Sequence, residues 1–297
     1  MSDPYFPAEM LDHIVDHLHD AKDVLKNCSL VSKSWIPRTR WHLFANISFP
    51  TTRSVQSWKN IFPDPANSPA RYAKTLYFGS NVVAAADAEV GGWIRGFSSV
   101  VHLALFIRRS FLSGSSSLVP FHGFSPAMKS LRMILVIFPS PQIFNLVLSF
   151  PLLEDLAVIP PYRASLDRGN GPDWPPAVAH PSSPPMLTGS LEIYPDGAMG
   201  AFVTLLLSLP GGIHFRKLTL TWLRMGDHSL TMALVGECSY TLESLDITCN
   251  ILGQSDPRPR LYRQLTSVPR RVGASFDRPL ESDKTQRCGT SIQVVEC

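Results

Sequence analysis

Seven times between residues 75 and 247 the chain returns to one short pattern, x-Leu-x-apolar. The copies are Thr75-Leu76-Tyr77-Phe78, His102-Leu103-Ala104-Leu105, Ser130-Leu131-Arg132-Met133, Asp155-Leu156-Ala157-Val158, Ser190-Leu191-Glu192-Ile193, Lys217-Leu218-Thr219-Leu220 and Ser244-Leu245-Asp246-Ile247. Successive central leucines lie 27, 28, 25, 35, 27 and 27 residues apart. Because side chains alternate along an extended chain, the leucine and the residue two beyond it share a side, so each copy predicts a β-strand with one apolar face. An apolar or small residue usually stands three before the leucine: Ala73, Val100, Met128, Leu153, Thr188, Phe215 and Leu242. Between copies lie stretches able to form helices, notably Pro141 to Phe150, Ala198 to Leu209 and Ser229 to Cys238, several closed by Pro or Gly. A unit of one strand and one helix cannot bury its apolar face alone. Recurring at near-constant interval, such units must cover one another. The class expected is α/β with parallel strands.

A strand and a helix at this period resemble the leucine-rich repeat, which implies a solenoid over residues 71–250. The repeats are irregular. The Asn that the family places five after the central leucine is present as Asn81 and Asn250 but replaced by Arg108, Val136, Pro161, Asp196 and Leu223 elsewhere. The other reading is an ordinary α/β domain with evenly spaced strands. Under either, the residues flanking the leucines turn away from the core. They are Tyr77, Ala104, Arg132, Ala157, Glu192, Thr219 and Asp246, with Thr75, His102, Ser130, Asp155, Ser190, Lys217 and Ser244 beside them. Tyr77, His102, Arg132, Asp155, Glu192, Lys217 and Asp246 are the candidates for contacting a target. Acids, bases and small polar groups mix there without a dominant sign, which suits a protein ligand and gives no reason to expect nucleic acid.

Three stretches break the pattern. Residues 46–70 read as a linker, with a strand-like Ile47 to Phe49 and a helical Val55 to Phe62 before the turn-rich Pro63 to Pro69. The 35-residue interval contains eight prolines between Pro160 and Pro185, with Gly169-Asn170-Gly171 and Trp174, a composition that cannot pack as a helix or strand. It is expected to be a flexible insertion, with Trp174 as its contact point. Beyond Asn250, Asp256-Pro257-Arg258-Pro259-Arg260 opens an arginine-rich tail, residues 251–297, expected to be disordered apart from a strand at Ser291 to Val295. No capping repeat is legible. Either the tail covers the last strand's edge irregularly, or it lies outside the folded domain.

Residues 1–45 have a different period. After Pro7, the apolar Met10, Leu11, Ile14, Val15 and Leu18 recur at spacings of three and four, as on an amphipathic helix. Asp20 and Asp23 resemble a capping pair for a second helix with Ala21, Val24, Leu25 and Cys28 on its apolar side. A third is expected near Ser29, presenting Leu30, Val31 and Trp35, and Pro37 either ends it or starts a fourth through Trp41 to Phe44. So few short helices cannot bury all their apolar groups among themselves.

The run Phe6-Pro7-Ala8-Glu9-Met10-Leu11, then Ile14, Leu18, the step from Asp20 to Leu25, and Ser29-Leu30-Val31-Ser32-Lys33-Ser34-Trp35 resembles the F-box. That family opens with Leu-Pro-x-Glu-Leu-Leu and continues to a Val-Ser-Lys-x-Trp core. With Pro37-Arg38-Thr39-Arg40 and His42-Leu43-Phe44, the stretch is especially similar to the F-box-like domains abundant in mushroom-forming fungi. Phe6 and Met10 stand where the motif has Leu, both volume-tolerant swaps. The resemblance implies docking to the Skp-family adaptor of a cullin-RING ubiquitin ligase. It places Pro7, Met10, Leu11, Ile14, Leu18, Leu25, Val31 and Trp35 at the motif's characteristic sites, some touching the adaptor and some holding the helices together. Trp35 is the expected anchor, since buried aromatics dominate interface energetics.

Charge and chemistry narrow the remainder. The formal charge of +3 resides in the tail, where residues 254–297 hold eight Lys/Arg against five Asp/Glu; residues 1–253 hold nineteen of each. No surface for nucleic acid or membrane is advertised. Five scattered cysteines without a Cys-x-x-Cys pair argue for a reducing compartment, cytoplasmic or nuclear, and against a zinc site. Met1 to Asp20 is acidic and amphipathic, unlike a signal peptide, and the most apolar stretch, Met133 to Phe150, is broken by Pro139 and Pro141. His13 and His17 have a metal-ligand spacing, with His19 after them, yet no Glu completes a His-Glu-x-x-His motif, and no metal or cofactor is expected. Gly91-Gly92 and the Gly197 and Gly200 pair lack the Lys and Ser/Thr of a nucleotide cradle, and neither Cys238 nor Cys249 has a base assigned by spacing. The chain is expected to be no enzyme but the substrate-recognition subunit of a Skp-cullin-F-box ligase. The alternatives are a repeat scaffold whose N-terminal helices only cap the solenoid, and a hydrolase in an unfamiliar α/β domain.

Overall fold

The computed structural model describes residues 7–64, 67–84, 92–107, 118–135, 141–159, 185–193, 200–221, 228–249, 263–268 and 290–296. Outside them lie nearly all of the proline-rich interval with Trp174, the arginine-rich opening of the tail, Gly91, Gly197, Cys288 and Cys297. Six of the seven positions expected to carry a repeat Asn also lie outside; Asn81 is the one described. The chain divides into two compact units, Met1–Phe106 with Ser110–Met128, and Ile107–Arg109 with Lys129–Cys297.

The first unit begins with α1 (Ala8–His17), α2 (Lys22–Val31), a 3-10 turn over Lys33–Trp35 and α3 (Ile36–Leu43). Two boundaries differ from the sequence expectation. Asp20 does not cap α2, whose first turn follows Ala21 without a side-chain cap. Nor does a helix begin at Ser29: α2 runs through it to Val31, and the chain then tightens into the 3-10 turn, where the Ser32 hydroxyl accepts the Ser34 N–H at 3.3 Å. Pro37 starts a helix, since a first-turn proline lacks only a donor that would be unpaired there. Val15, Leu25, Cys28 and Thr39 form the small buried centre among these helices.

Where residues 46–70 are described, they hold β1 (Asn46–Phe49), α4 (Thr52–Ile61) and the start of a 3-10 turn over Pro69–Tyr72. A capping box starts α4, with Thr51 and Ser54 each accepting the other's backbone N–H at 3.3 Å. β2 (Thr75–Phe78) leads through α5 (Ser80–Ala84) to β3 (His102–Ile107). The three strands are parallel in the order β1-β2-β3, with Ile47, Leu76 and Leu103 in one row and Phe49, Phe78 and Leu105 in the next. Every side chain in those two rows is buried. Phe49 is the hub of an aromatic core, 5.6 Å from the rings of Trp58 and Phe78 and 5.1 Å from Trp93. Gly79 is there because the chain passes so close to Pro50 that a Cβ would collide with that residue's carbonyl oxygen. Buried Ser125 ties the 118–128 stretch to this unit, donating to the carbonyls of Ser98 (2.9 Å) and Val100 (2.7 Å).

The second unit contains β4 (Ser130–Leu135), α6 (Pro141–Leu148), β5 (Asp155–Ile159), β6 (Ser190–Ile193), α7 (Gly200–Leu207), β7 (Lys217–Thr221), α8 (His228–Glu237) and β8 (Ser244–Cys249). Strands β4 to β8 pair in chain order and in parallel, aligning Leu131, Leu156, Leu191, Leu218 and Leu245 in one buried row. Helical residues Phe144, Val147, Phe202 and Leu206 are buried as well, and the rings of Phe144 and Phe202 meet edge-on at 6.1 Å.

One hydrogen-bond device recurs in both units. The two N–H groups that open a strand donate to a single carbonyl just before the preceding one. Lys74 and Thr75 share Ala45, Val101 and His102 share Lys74, Glu154 and Asp155 share Lys129, Arg216 and Lys217 share Gly189, and Glu243 and Ser244 share Arg216. Register is passed on between these pairs of strands, which keeps their leucines in line.

The tail contains more order than its composition predicts. β9 (Arg263–Val268) was not anticipated, and β10 (Thr290–Glu296) covers the strand expected at Ser291 to Val295. β10 runs parallel to β8, opposite Ser244 to Cys249, and antiparallel to β9. The row of backbone donors and acceptors on the outer side of β8 is thereby paired, which is the physical gain that orders so polar a segment.

Candidate functional site

Two surfaces hold the residues singled out from the sequence, and they are built differently. On the N-terminal helices the apolar stripe of α1 is split. Val15 is buried, Leu11 and Leu18 are half-buried, and Met10 and Ile14 remain 52% and 44% exposed. On α2, Leu25 is completely buried while Val24, Leu30 and Val31 are 44%, 84% and 71% exposed. Of the eight expected adaptor-contacting positions, Pro7, Met10, Ile14 and Val31 are thus exposed, Leu11, Leu18 and Trp35 are half-buried, and Leu25 belongs to the interior. Leu25 holds the helices together and cannot itself meet a partner. Val24 and Leu30 are exposed apolar side chains that the motif positions did not include; their signal was an apolar residue beside Leu25 and beside Val31, ambiguous without the helix rotation.

A polar cluster fixes the angle between α1 and α3. Arg38 donates through Nε and a terminal nitrogen to the two Asp16 carboxylate oxygens, both at 2.5 Å, and His42 Nε2 lies 2.8 Å from one of them. These hydrogen bonds hold the Asp16 carboxyl well below the ordinary carboxylate range and raise the Arg38 guanidinium. The guanidinium carbon also lies 4.8 Å from the Trp41 ring centre. Spacings of 22 and 26 residues have no helical or strand period, so nothing in the sequence pattern marks the cluster.

The second surface is the exposed face of the parallel strands. In the first unit Tyr77 stands beside Ala104, and His102 beside Thr75. In the second, one row reads Arg132, Ala157, Glu192, Thr219, Asp246 and another places Ser190 and Ser244 on either side of Lys217. Arg132 and Glu192 approach to 3.8 Å across Ala157. Asp155 is committed internally: its carboxylate accepts the Ser190 N–H (2.6 Å) and hydroxyl (2.7 Å), pinning β6 where the chain re-enters after the proline-rich interval. Just before that, Leu187 takes a φ of 41° while fully buried, a strained backbone that its burial and its 2.9 Å bond to the Leu153 carbonyl hold in place. The candidate face also includes Ile134 and Ile159, paired across β4 and β5 and half-exposed beyond Arg132 and Ala157. Each stands one residue beyond the x-Leu-x-apolar pattern of its strand.

Burial pushes the Cys238 thiol up to about 11, the opposite of what thiolate chemistry needs. Burial also lowers the pKa of His122, whose Nε2 has no hydrogen-bond partner among the described residues. Among the described residues, no group of three or more His, Cys, Asp or Glu could hold a metal ion, and no helix is long and apolar enough to cross a membrane. No protein-family model matches the chain, and neither a curated protein nor a solved structure matches it.

Proposed function

We propose that the chain is a non-catalytic substrate-recognition subunit. Its N-terminal helices dock an adaptor of the Skp family and through it a cullin, and its strands form an irregular leucine-rich-repeat solenoid whose exposed face holds a target protein. The observation that carries this reading is the exposure of Met10, Ile14, Val24, Leu30 and Val31 on two consecutive short helices. Complete burial of such a side chain is worth about 1.5–3 kcal/mol, so the largely exposed Leu30 and Val31 gain most of that from a partner and the half-covered Met10, Ile14 and Val24 about half. The mixed charge of the strand face fits a protein ligand, and no chemistry is required of this chain. It acts by proximity, holding the target where another subunit transfers ubiquitin.

A second reading treats the helices as a cap on the strands. It draws on the packing of α3 against the Pro69–Tyr72 turn and on the Ala45 carbonyl that accepts from Lys74 and Thr75. Co-purification separates the two. The docking reading expects the full chain to retain a Skp-family adaptor and cullin, and expects Trp35→Ala or Val31→Asp to lose them while remaining folded. Failure of the wild-type chain to retain the adaptor would favour the cap.

A further inference from the structure

We infer that His13 and His17 form a two-imidazole chelate for a borderline divalent transition ion, Cu(II) or Ni(II) before Zn(II), on the exposed side of α1. The inference is independent of the adaptor reading. Residues four apart lie one above the other on a helix, and here the same nitrogen of each ring comes within hydrogen-bond distance of the other. The two Nε2 atoms are 3.2 Å apart, with ring centres 4.5 Å apart and planes inclined at 70°. An ion about 2.0–2.1 Å from each nitrogen would close an N–metal–N angle of roughly 100° across that gap. Such an angle lies between the 90° of a square or octahedral ion and the roughly 109° of a tetrahedral one, so the preference for Cu(II) rests on the general affinity order of divalent ions for nitrogen ligands.

The proton inventory also permits it. Without metal, one Nε2–H donates to the other ring's Nε2 lone pair. For both Nε2 atoms to coordinate, the donating ring moves its proton to Nδ1, so a neutral pair binds the ion without net proton release. Both rings are exposed, so water completes the coordination, in keeping with the lack of a third protein ligand among the described residues. Imidazole selects borderline ions over Mg(II) and Ca(II), which prefer oxygen.

Metal-free full-length chain titrated with CuCl2 or NiCl2 at neutral pH, followed by calorimetry and by thermal unfolding, tests this. One saturable site is expected, with an upward shift in Tm that grows with ion concentration. His13→Gln and His17→Gln should each weaken binding by at least about tenfold, because a single imidazole loses the chelate. His19→Gln, which leaves the pair intact, should bind as wild type, and MgCl2 should give no shift. Unchanged binding in both His13→Gln and His17→Gln, or no saturable site in the wild-type chain, would overturn the inference. The circular dichroism of each variant verifies that α1 is retained.

Discussion

The N-terminal helices and the strand rows are both patterned with apolar residues, yet they dispose of them in opposite ways. Every central leucine from Leu76 to Leu245 is buried, whereas α1 and α2 leave Met10, Ile14, Val24, Leu30 and Val31 in solvent. The difference lies in what each element can borrow. A strand with one apolar face inherits its register from its neighbour through shared carbonyls, so its covering surface comes with its position. A ten-residue helix such as α1 or α2 has only two others to lean on, and its outer residues need something else. Surplus apolar surface on otherwise well-formed short helices is what directs attention to a partner.

Truncations should show this contrast most strongly. Leu156→Ala and Leu25→Ala, both in buried positions, should each lower stability by about 3 kcal/mol in chemical denaturation. Leu30→Ala and Val31→Ala should stay within about 0.5 kcal/mol of wild type. Equal losses at all four positions would erase the distinction between the regions. Next in size, Gly79→Ala should cost about 2 kcal/mol, since its Cβ meets backbone at Pro50 and cannot be accommodated by a side-chain rotation.

A smaller effect tests how the helices are held. Asp16→Asn removes the carboxylate shared by Arg38 and His42, whose side chains and its own are 35%, 10% and 35% exposed, so solvent screens part of the interaction. A loss of about 1 kcal/mol is expected at neutral pH. The sign with pH follows from the lowered carboxyl: its stabilisation is complete above the unfolded-state value near 3.8 and fades as pH falls below it toward the folded-state value. Asp16→Asn should therefore flatten the acid limb of the stability curve, and an unchanged limb would show that the pair contributes nothing. Smallest of all, Arg132→Ala or Glu192→Ala should change stability by less than about 0.5 kcal/mol, because the two charges meet only at 3.8 Å on an open face.

The strands were far more legible than the helices. A two-residue period leaves little choice of face, and all seven x-Leu-x-apolar copies begin at the first residue of a strand, from Thr75 in β2 to Ser244 in β8. The helical ends were harder. Asp20 has the chemistry of a cap but not the position, and Ser29, which could begin a helix, instead donates its hydroxyl to the Lys26 carbonyl at 2.6 Å inside α2. β9 was hidden because Arg263 to Val268 lacks the repeating motif, and its order comes from pairing with β10. On the candidate surfaces, the identity of the apolar residues was readable and their exposure was not. Leu25 and Leu30 are the same residue type five apart, yet helix rotation buries one completely and leaves the other 84% exposed. The Asp16, Arg38 and His42 cluster depends on two helices meeting, which no local pattern encodes.

The most direct test of an uncovered helix face beside covered strands is a binding titration of the full-length chain with a purified Skp-family adaptor, comparing wild type with Leu30→Ala/Val31→Ala. The account predicts saturable binding by wild type, weakened at least about tenfold in the double variant, with denaturation midpoints that coincide. Absence of wild-type binding, or a double variant that binds equally well, would contradict it.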